Sequence, residues 1–520
     1  MYYISIEGML KWQKTWSSNS ESSNEKATML TIFIYIILVL LLLTSIYVVA
    51  RTIIFAWRNR AVQEVEGIPV DAAQVAEHLA AAVRCQTVPS DDKGTPDPEA
   101  FKQLHQFLEE TYPLVHQKLK RETVNGYSLL YTWPGSRAEL EPIMLMAHQD
   151  VVSADPATLS EWTHPPFDGK IVDGFVWGRG TLDIKNQLIG IMEAAEGLLQ
   201  QGFKPERTIL FGLGHDEETG GVNGCKVMGQ LLHQRGIHLA GIVDEGGGII
   251  AGKTAGIRGL VGLVGVSEKG YLTVEFTVHG QPGHSSTPPP QTAIGILARA
   301  LARLEAHPMP LHIRRLRPLY HGIGPAAPIY IQIAFSNIYL FGPILKRWLS
   351  SKPAMKASMQ TTTALTIVKG GVEDNTVPFE AKAIANFRLL PGDTIADVLW
   401  HIKKVIKDER VGFKPVEGKF NEALPISPDK GAAYRGLSKV IRQIFDNPPV
   451  APYIMLGGTD CQHFISVCDN IYRFTSLVMD ASFQGLEHGI DERIPVESIG
   501  KMARFYAQLM RAWGTREMTI

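Results

Sequence analysis

Three short apolar segments, each followed within two residues by acidic or histidine side chains, constrain the fold of this chain more than any other feature. The segments are Ile143–Ala147, Thr208–Leu213 and Gly241–Val243. Apolar runs of this length, with helical patterns between them, are typical of buried parallel strands. One such helical pattern runs over Leu188–Leu199. Because open α/β sheets bind ligands at the carboxyl ends of their strands, we expect the polar clusters to meet at one sheet edge.

Composition excludes several classes of protein. Of the 520 residues, 45% are hydrophobic and 20% are charged, which excludes disorder as the main state. The 51 Lys and Arg balance 52 Asp and Glu, so no basic surface for a nucleic-acid partner is indicated. The four cysteines form no CxxC pair, which disfavours a disulfide scaffold and a thiolate metal site.

An apolar segment near the N-terminus predicts a single-pass membrane anchor. No charged residue lies between Lys26 and Arg51, and Met29–Ala50 is almost wholly apolar, which matches the about 20 residues of a spanning helix. A buried core helix is the first alternative, and it would keep a polar stripe. A cleaved signal peptide is the second, but its apolar region is only roughly 7–15 residues long. Basic residues flank both ends, so the side of the membrane that holds the remaining chain is not determined.

After about Gly270 a second pattern begins, in which strands and helices alternate in the order β-α-β-β-α-β. This order predicts a split βαβ sandwich inserted into the first domain. The predicted elements are Tyr271–His279, Gln291–Glu305, Thr361–Val368, Ala381–Leu390, Thr394–Lys407 and Val411–Val416. The predicted division is an N-terminal tail (1–28), a transmembrane helix (29–50), a linker (51–69), a catalytic domain in two parts (70–266 and 419–520) and the inserted domain (267–418).

The polar clusters contain residues with the chemistry of metal ligands. His148-Gln149-Asp150 follows the first strand, and residues i and i+2 of an extended strand end point the same way. Asp150 therefore lies beside His148, as a carboxylate often does beside a metal-bound histidine. Each cluster alone also fits a solvated loop or an acidic surface turn, and only their combination is specific.

Five of these side chains together predict a site for two divalent cations. They are His148, Asp183, Glu218, Asp244 and His488. Two imidazoles and three carboxylates suit Zn²⁺ and leave coordination positions open. If Asp183 bridges, each cation receives one histidine, one terminal carboxylate and the shared aspartate. Without cations, so many carboxylates at one sheet edge would repel each other.

Several motifs resemble the co-catalytic zinc amidohydrolases, a family that includes aminoacylases, acetylornithine and succinyl-diaminopimelate deacylases, and carboxypeptidases. The resemblance covers about residues 70–515 and lies in MLMAHQDVV, WGRGTLDIK, GHDEETGG, VDEGGG and LEHGIDERI. The segment SMQTTTALTIVKGGVEDNTVP resembles the carboxypeptidase S and N-acyl-amino-acid hydrolase subgroup. The resemblance implies an α/β fold: a phosphorylase/hydrolase-like di-zinc peptidase sheet with helices on both faces. It also implies a βαββαβ (ferredoxin-like) lid or dimerisation domain, and two Zn²⁺ ions with Co²⁺ or Mn²⁺ as alternatives.

The resemblance also implies roles for individual residues near the metals. Glu217 is expected to be the general base that deprotonates the water and passes the proton to the leaving nitrogen. Asp150 is expected to orient His148. His284 in QPGHSS is expected to stabilise the oxyanion, in some relatives across a dimer, although a capped helix entry would explain the same motif.

Three further residues are expected to contact the substrate. Arg388 and Asn375 match family positions that hold substrate, and a guanidinium suits a free carboxylate because it forms two parallel hydrogen bonds. A strand-edge salt bridge is the alternative for Arg388. Gly457 lies in a glycine loop that matches the family's substrate pocket and would let the backbone approach the ligand.

The segment Ile329–Leu349 within the inserted domain is rich in Ile, Tyr, Phe, Leu and Trp. Three interpretations are open: core of the lid, contact with the bilayer, or a wall for an acyl chain. We favour an apolar-substrate or membrane-facing role for it.

These observations predict a membrane-anchored di-zinc hydrolase that cleaves an amide or peptide bond adjacent to a free carboxylate. The expected substrate is a small peptide or an N-acyl amino acid, and the expected assembly is a homodimer through the lid. A dipeptidase or aminopeptidase on the same scaffold would recognise a substrate amine instead, whereas Arg388 favours the carboxylate. A non-catalytic anchored binding protein is disfavoured because Glu217 and all five ligands are present.

Overall fold

A computed structural model describes residues 6–56, 62, 65, 67–89, 95–255, 257–483 and 485–519 of the chain. The helices are α1 (Ile6–Ala56), α2 (Ala72–Arg84), α3 (Pro98–Thr111), α4 (Pro113–Lys118), α5 (Lys185–Gln200), α6 (Cys225–Gln234), α7 (Ala293–Ala306), α8 (Arg317–Ile323), α9 (Ile329–Ser336), α10 (Ile338–Ser350), α11 (Pro353–Ala357), α12 (Ile395–Ile406), α13 (Ala432–Ile444) and α14 (Val496–Trp513). The strands are β1 (Lys120–Val124), β2 (Ser128–Trp133), β3 (Ile143–His148), β4 (Lys170–Val172), β5 (Phe175–Trp177), β6 (Ile209–Gly214), β7 (Gly241–Asp244), β8 (Gly248–Ala251), β9 (Leu260–Glu268), β10 (Gly270–His279), β11 (Gly283–His284), β12 (Thr362–Gly370), β13 (Thr376–Val377), β14 (Glu380–Leu389), β15 (Val411–Asn421), β16 (Val450–Met455), β17 (Ile471–Arg473), β18 (Val478–Met479) and β19 (Arg493–Pro495).

A mixed central sheet carries the three predicted strands side by side. Its order is β1-β2-β6-β3-β7-β17-β9-β8-β18, with β16 paired to β9. Strand β3 pairs in parallel with both β6 and β7, so the carboxyl ends of all three lie at one edge. The predicted parallel strands are confirmed, and antiparallel pairs such as β1–β2 and β2–β6 extend the sheet beyond them.

Helices cover both faces of the central sheet, as predicted. All six residues of β3 are buried, because alternate side chains point into different cores. Leu145 packs in a core with residues of α2, α5 and α14. Met144 and Met146 pack in a second core with residues of α6.

A second, antiparallel sheet forms the inserted lid. Its order is β12-β14-β10-β15, and α7 and α12 cover one face. The chain order β10-α7-β12-β14-α12-β15 is the predicted βαββαβ arrangement, which is therefore confirmed. Strand β9 of the central sheet ends at Glu268, and β10, the first strand of the lid sheet, begins at Gly270. The domain boundaries themselves stay a prediction.

Helices α8–α11 form a helical insert (residues 313–357) between α7 and β12, packed against the central sheet. Its core includes Tyr320 and Phe335, whose rings stack with centroids 3.8 Å apart, and Ala451 of β16. Of the predicted apolar segment Ile329–Leu349, Phe335, Leu345 and Leu349 are buried in this core. Other apolar side chains of the segment, such as Ile344, are exposed.

Helix α1 is longer than the predicted segment 29–50 at both ends. Its part Thr28–Ala56 is long and apolar enough to cross a membrane, by length and composition, criteria that a signal sequence would also meet. The carboxyl end of α1 contacts the helical insert. The hydroxyl oxygens of Thr52 and Ser336 lie 3.1 Å apart, and Phe55 is buried.

A buried ion pair joins β9 and β17 beneath the loop that follows β16. Nε of Arg473 donates to Oε1 of Glu268 at 2.7 Å, and the two side chains are 1% and 3% exposed. Glu268 also accepts hydrogen bonds from the backbone and hydroxyl of Thr459. The pair thus fixes the loop 456–460 to the central sheet.

We expect Arg473→Met to lower the free energy of unfolding by about 3–5 kcal/mol, because it leaves the Glu268 carboxylate buried without its cation. The double variant Arg473→Met/Glu268→Leu removes both charges and should recover part of that loss. Denaturant unfolding of the purified protein measures both values. An equal or larger loss in the double variant would contradict the prediction.

Candidate active site

The predicted metal ligands come from the carboxyl ends of neighbouring strands and from two loops. His148 is the last residue of β3, and Glu218 follows β6. Asp244 is the last residue of β7, and Glu245 follows it. Asp183 lies in the turn before α5, and His488 lies in the loop before β19. Because β3, β6 and β7 are adjacent, the sheet itself brings the first three positions together.

The side chains form two groups that share Asp183. The first contains His148, Asp183 and Glu245, and the second contains Asp183, Glu218 and His488. Within each group, one nitrogen or oxygen atom per residue lies within 4.8 Å of the others. Nε2 of His148 lies 3.1 Å from Oδ1 of Asp183, and Nε2 of His488 lies 2.9 Å from Oδ2. The two oxygens of Asp183 therefore contact different histidines, the arrangement that a bridging carboxylate requires.

The donor set fits divalent cations. Two imidazole nitrogens and three carboxylates are ligands that Zn²⁺ accepts. Nε2 of His488 lies 3.2 Å from Oε2 of Glu218, while the other oxygen, Oε1, is buried and has no hydrogen-bond partner among the residues that the structure describes. Buried polar atoms nearly always have a partner, so an unpaired carboxylate oxygen in this group suits a metal ligand.

The carboxylate beside His148 is Glu245, whereas the sequence predicts Asp244. Oε1 of Glu245 lies 3.8 Å from Nε2 of His148. Asp244 is buried, and its Oδ2 accepts a hydrogen bond from Sγ of Cys461 at 3.3 Å. Successive residues of an extended strand end point to opposite sides, so the two carboxylates have different neighbours. The geometry points to Glu245, and a ligand role for Asp244 stays a prediction.

Burial and the close approach of several carboxylates shift the pKa values of side chains in the site. Burial, together with Asp183, raises the pKa of Glu245 well above its ordinary value. Hydrogen bonds that His488 donates to the carboxylates of Asp183 and Glu218 raise its pKa to about 10. Burial opposes a similar rise at His148, but Glu245, Asp150 and Asp183 still raise its pKa. Cations bound here would replace the protons that these histidines otherwise hold.

Asp150 supports two parts of the site. Nδ1 of His148 lies 2.9 Å from the backbone oxygen of Asp150 and 3.4 Å from its Oδ1. A proton on Nδ1 directed at Asp150 leaves Nε2 for a cation. The Asp150 carboxylate also accepts the backbone N–H groups of Glu217 and Glu218, at 3.2 and 3.1 Å. Asp150 thus positions His148 and the predicted base together.

Glu217 lies beside the ligands and is partly buried. Burial raises its pKa well above the ordinary value of a glutamate, and the nearby carboxylates of Asp460, Glu218 and Asp150 add to the rise. Asp460 is itself buried, beside the Cys225 thiol. A base role for Glu217 stays a prediction, and its position is compatible with it.

The sequence did not indicate Glu492, which holds the turn that carries Asp183. Its carboxylate pairs with Nη1 of Arg179 at 2.6 Å and accepts the backbone N–H of Leu182 at 2.7 Å. Nη2 of Arg179 in turn donates to the backbone oxygen of Gly489. Glu492 and Arg179 therefore connect the Asp183 turn to the His488 loop. The only sequence signal was the position of Glu492 within the motif LEHGIDERI.

His284 and Asn375 lie together on the lid. His284 is exposed in β11, and its Nδ1 lies 2.8 Å from the Ser286 hydroxyl. The backbone N–H of Ser285 donates to the Asn375 carbonyl. In the described part of the chain, no hydrogen bond or ion pair joins His284 or Asn375 to the candidate metal ligands. Their substrate roles stay predictions.

Arg388 and Gly457 also stay predicted substrate contacts. The Arg388 guanidinium lies over the Tyr271 ring, 4.7 Å from its centroid. Among the ion pairs of the described residues, none involves Arg388, so the alternative of a strand-edge salt bridge finds no support there. Gly457 is exposed, and a β-carbon at this position would meet nothing within 4 Å.

Comparison with known proteins shows the family. The model of peptidase family M20/M25/M40 matches residues 144–512, more than half of the chain. The chain belongs to this family. It is 38% identical over 492 residues to the N-fatty-acyl-amino acid synthase/hydrolase PM20D1 of Xenopus tropicalis, covering 93% of this chain and 95% of that protein. It is 37% identical over 501 residues to the probable carboxypeptidase S-like 2 of Dictyostelium discoideum, covering 94% and 96%.

A solved structure confirms the M20 fold. The M20 family metallo-carboxypeptidase Sso-CP2 from Sulfolobus solfataricus superposes with a TM-score of 0.59 at 15% identity, covering 86% of this chain and 100% of that one. This likeness concerns the fold alone. The predicted family and its carboxypeptidase S and N-acyl-amino-acid hydrolase subgroup are confirmed by the relatives. As an M20 member, the chain is a metallohydrolase of amide bonds, as predicted.

Substitutions at the end of β7 test whether Asp244 or Glu245 is the metal ligand. If Glu245 is a metal ligand, Glu245→Gln should weaken zinc binding by more than about 100-fold, a larger loss than that of a supporting contact. Asp244→Asn should weaken it by at most about 10–100-fold, the effect of losing a supporting contact. Metal content after gel filtration and competition with a chelator measure both. Greater metal loss in Asp244→Asn than in Glu245→Gln would instead support the ligand that the sequence predicts.

Proposed function

We propose that this M20 member hydrolyses the amide bond of N-acyl amino acids, or of small peptides, next to a free carboxylate. The observation that carries the proposal is the pair of histidine–carboxylate groups that share Asp183, with Glu217 beside them. The names of the relatives, an N-fatty-acyl-amino acid synthase/hydrolase and a carboxypeptidase S-like protein, support this substrate class.

The proposed cofactor is a pair of Zn²⁺ ions, with Co²⁺ or Mn²⁺ as alternatives. His148 and Glu245 would hold one ion, Glu218 and His488 would hold the other, and Asp183 would be shared. Such ions supply Lewis acidity that polarises the scissile carbonyl and lowers the pKa of a bound water to about 7.

In this proposal Glu217 moves the proton. Its backbone N–H is fixed by Asp150, which places its carboxylate beside the ligand groups. Glu217 would take a proton from the attacking water, hold it, and then donate it to the leaving nitrogen. His284 and Asn375 would approach the substrate from the lid, and Arg388 would pair with its free carboxylate.

We also infer that the protein is membrane-anchored through α1 and dimerises through the lid. The apolar part Thr28–Ala56 supports the anchor. Strand β12 is an edge strand of the lid sheet, and its residues Ile367 and Val368 are 47% and 64% exposed. Long apolar edge strands are usually covered by another chain or element, which supports pairing between lids. In such a dimer the exposed His284 would be available to the partner's site.

A hydrolysis screen with added zinc tests the proposed function. The wild-type protein should release free amino acid from N-acyl amino acids, whereas carboxyl-blocked analogues should react poorly. We expect Glu217→Gln to retain metal and to lower kcat by about 10²–10⁴-fold, because it removes the proton acceptor. Turnover near the wild-type value in a metal-loaded Glu217→Gln protein would exclude the base role. Preference for carboxyl-blocked dipeptides with a free amine would favour the aminopeptidase alternative.

Arg388 is the proposed carboxylate-binding residue. We expect Arg388→Ala to lower kcat/KM for a free-acid substrate by about 10–100-fold, the range of a lost hydrogen bond to a charged group. Arg388→Lys should recover only part, because an ammonium cannot form the paired contact. The amide of the same substrate is the control, and its low kcat/KM should not change. An equal loss for both substrates would show that Arg388 is structural.

A further inference from the structure

A cavity of about 380 Å³ lies between the helical insert and the central sheet. Apolar side chains dominate its lining, among them Leu319, Phe335 and Leu349 from the insert and Val261 and Ile454 from the sheet. An apolar cavity of about 150 Å³ binds one benzene molecule. The larger volume here has room for a flexible chain of on the order of a dozen carbon atoms.

We propose that this cavity binds the acyl chain of an N-acyl amino acid substrate. The inference rests on the proposed function, and it adds the place in the fold at which the acyl chain would bind. Of the residues predicted from the sequence, His284, Asn375, Arg388 and Gly457 do not line the cavity, whereas Phe335, Trp348 and Leu349 of the predicted apolar segment do.

The first argument is that the cavity lining contacts the loop after β7, which carries Glu245. Leu456 lines the cavity, and five residues later Cys461 donates a hydrogen bond to Asp244. Tyr453 also lines it, and its phenol contacts the backbone of Gly247, two residues after Glu245. A chain in the cavity would therefore have its polar end beside the candidate metal site.

The cavity lining also lies near the proposed carboxylate site. Ser358 lines the cavity, and the carbonyl of the preceding Ala357 accepts a hydrogen bond from Nζ of Lys269 at 3.0 Å. Lys269 directly precedes β10, and Tyr271 of β10 pairs with Arg388 of β14, so the strand register places Arg388 near this contact. One amphiphile could thus place its acyl chain in the cavity and its carboxylate at Arg388.

The second argument is that the far side of the insert is suited to contact lipid. Phe335 lines the cavity, and the next residue, Ser336, contacts Thr52 of α1. Gly324 lines the cavity as well and packs against Phe55 of α1. Around this contact the insert exposes large apolar side chains: Ile329 (62%), Tyr330 (68%), Tyr339 (55%), Leu340 (49%) and Ile344 (69%). Contiguous exposed apolar surface beside an apolar helix indicates a lipid-facing surface.

These two arguments favour a long acyl chain over the side chain of a peptide. A substrate with a polar head and a long chain partitions into the bilayer, where the insert and α1 would lie. Its acyl chain would move from the lipid directly into the apolar cavity. A peptide side chain is too short to fill a cavity of this size.

The test compares N-hexadecanoyl and N-acetyl derivatives of one amino acid, with the zinc-loaded full chain in lipid nanodiscs. Leu319→Trp and Met355→Trp each narrow the cavity at a partly exposed lining residue. We expect either change to lower kcat/KM for the hexadecanoyl substrate by at least about tenfold, because a few methylenes lose their apolar contacts. The kcat/KM for the acetyl substrate should stay within about twofold of wild type. Lys356→Trp, at an exposed residue of α11 that lies outside both the cavity lining and the lipid-facing surface, is the matched control and should change neither value.

Equal effects of the narrowing variants on both substrates, or no effect on either, would overturn the proposal. A second measurement does not depend on how the variants fold. A hexadecanoyl amino acid with a photoreactive group at the chain terminus should label peptides of the helical insert and β16 in the wild-type protein. Labelling only outside the cavity lining would also overturn it. If the proposed function fails, neither substrate is hydrolysed by wild type, whereas the labelling pattern still reports on the cavity.

Discussion

Repulsion among carboxylates at one sheet edge is the constraint on which the site depends. Glu218, Asp244 and Glu245 converge there because β6 and β7 flank β3 and the three strands end together, and the turn before α5 adds Asp183. Such a cluster is stable only if cations or protons neutralise it. The surrounding contacts fix the positions of the charges: Asp150 holds His148 and the backbone of Glu217 and Glu218, while Glu492 holds the Asp183 turn. The rigidity of the candidate metal site therefore comes from acidic side chains outside the two groups around Asp183.

The parts of the fold that could be predicted are those in which local pattern and burial agree. Strand β3 is buried on both faces, so its sequence is a continuous apolar run, and β10 is half-buried, so its sequence alternates. The helical insert gave no comparable signal. Helices α8, α10 and α11 have no side-chain cap, and their packing on β16 follows from long-range contacts. Sequence therefore indicated an apolar segment there but not which side chains it buries.

The candidate site also contains residues that could be predicted from the sequence and residues that could not. Residues that leave a strand end within a motif could be predicted, because the sheet decides where they lie. The choice between Asp244 and Glu245 could not be predicted, because both side chains are carboxylates. The direction of the backbone at the end of β7 decides which of the two contacts His148. Glu492 lies about 310 positions from the turn it supports, so no local pattern connects the two. His284 belongs to the lid, and its distance from the metals depends on how the lid is placed.

Because α1 contacts the helical insert, an anchor formed by α1 would do more than tether the protein to a membrane. A tether needs no contact with the catalytic part, yet Phe55 packs on Gly324, which lines the proposed acyl site, and Thr52 contacts Ser336, the chain neighbour of the lining residue Phe335. Transfer of an acyl chain from bilayer to water costs about 0.8 kcal/mol per methylene, so a path that avoids water matters more as the chain lengthens. Burial of the chain is the same in the ground state and the transition state, and such uniform binding lowers KM without raising kcat. The cavity would therefore select the substrate, whereas the chemistry would depend on Glu217 and the carboxylate groups around Asp183.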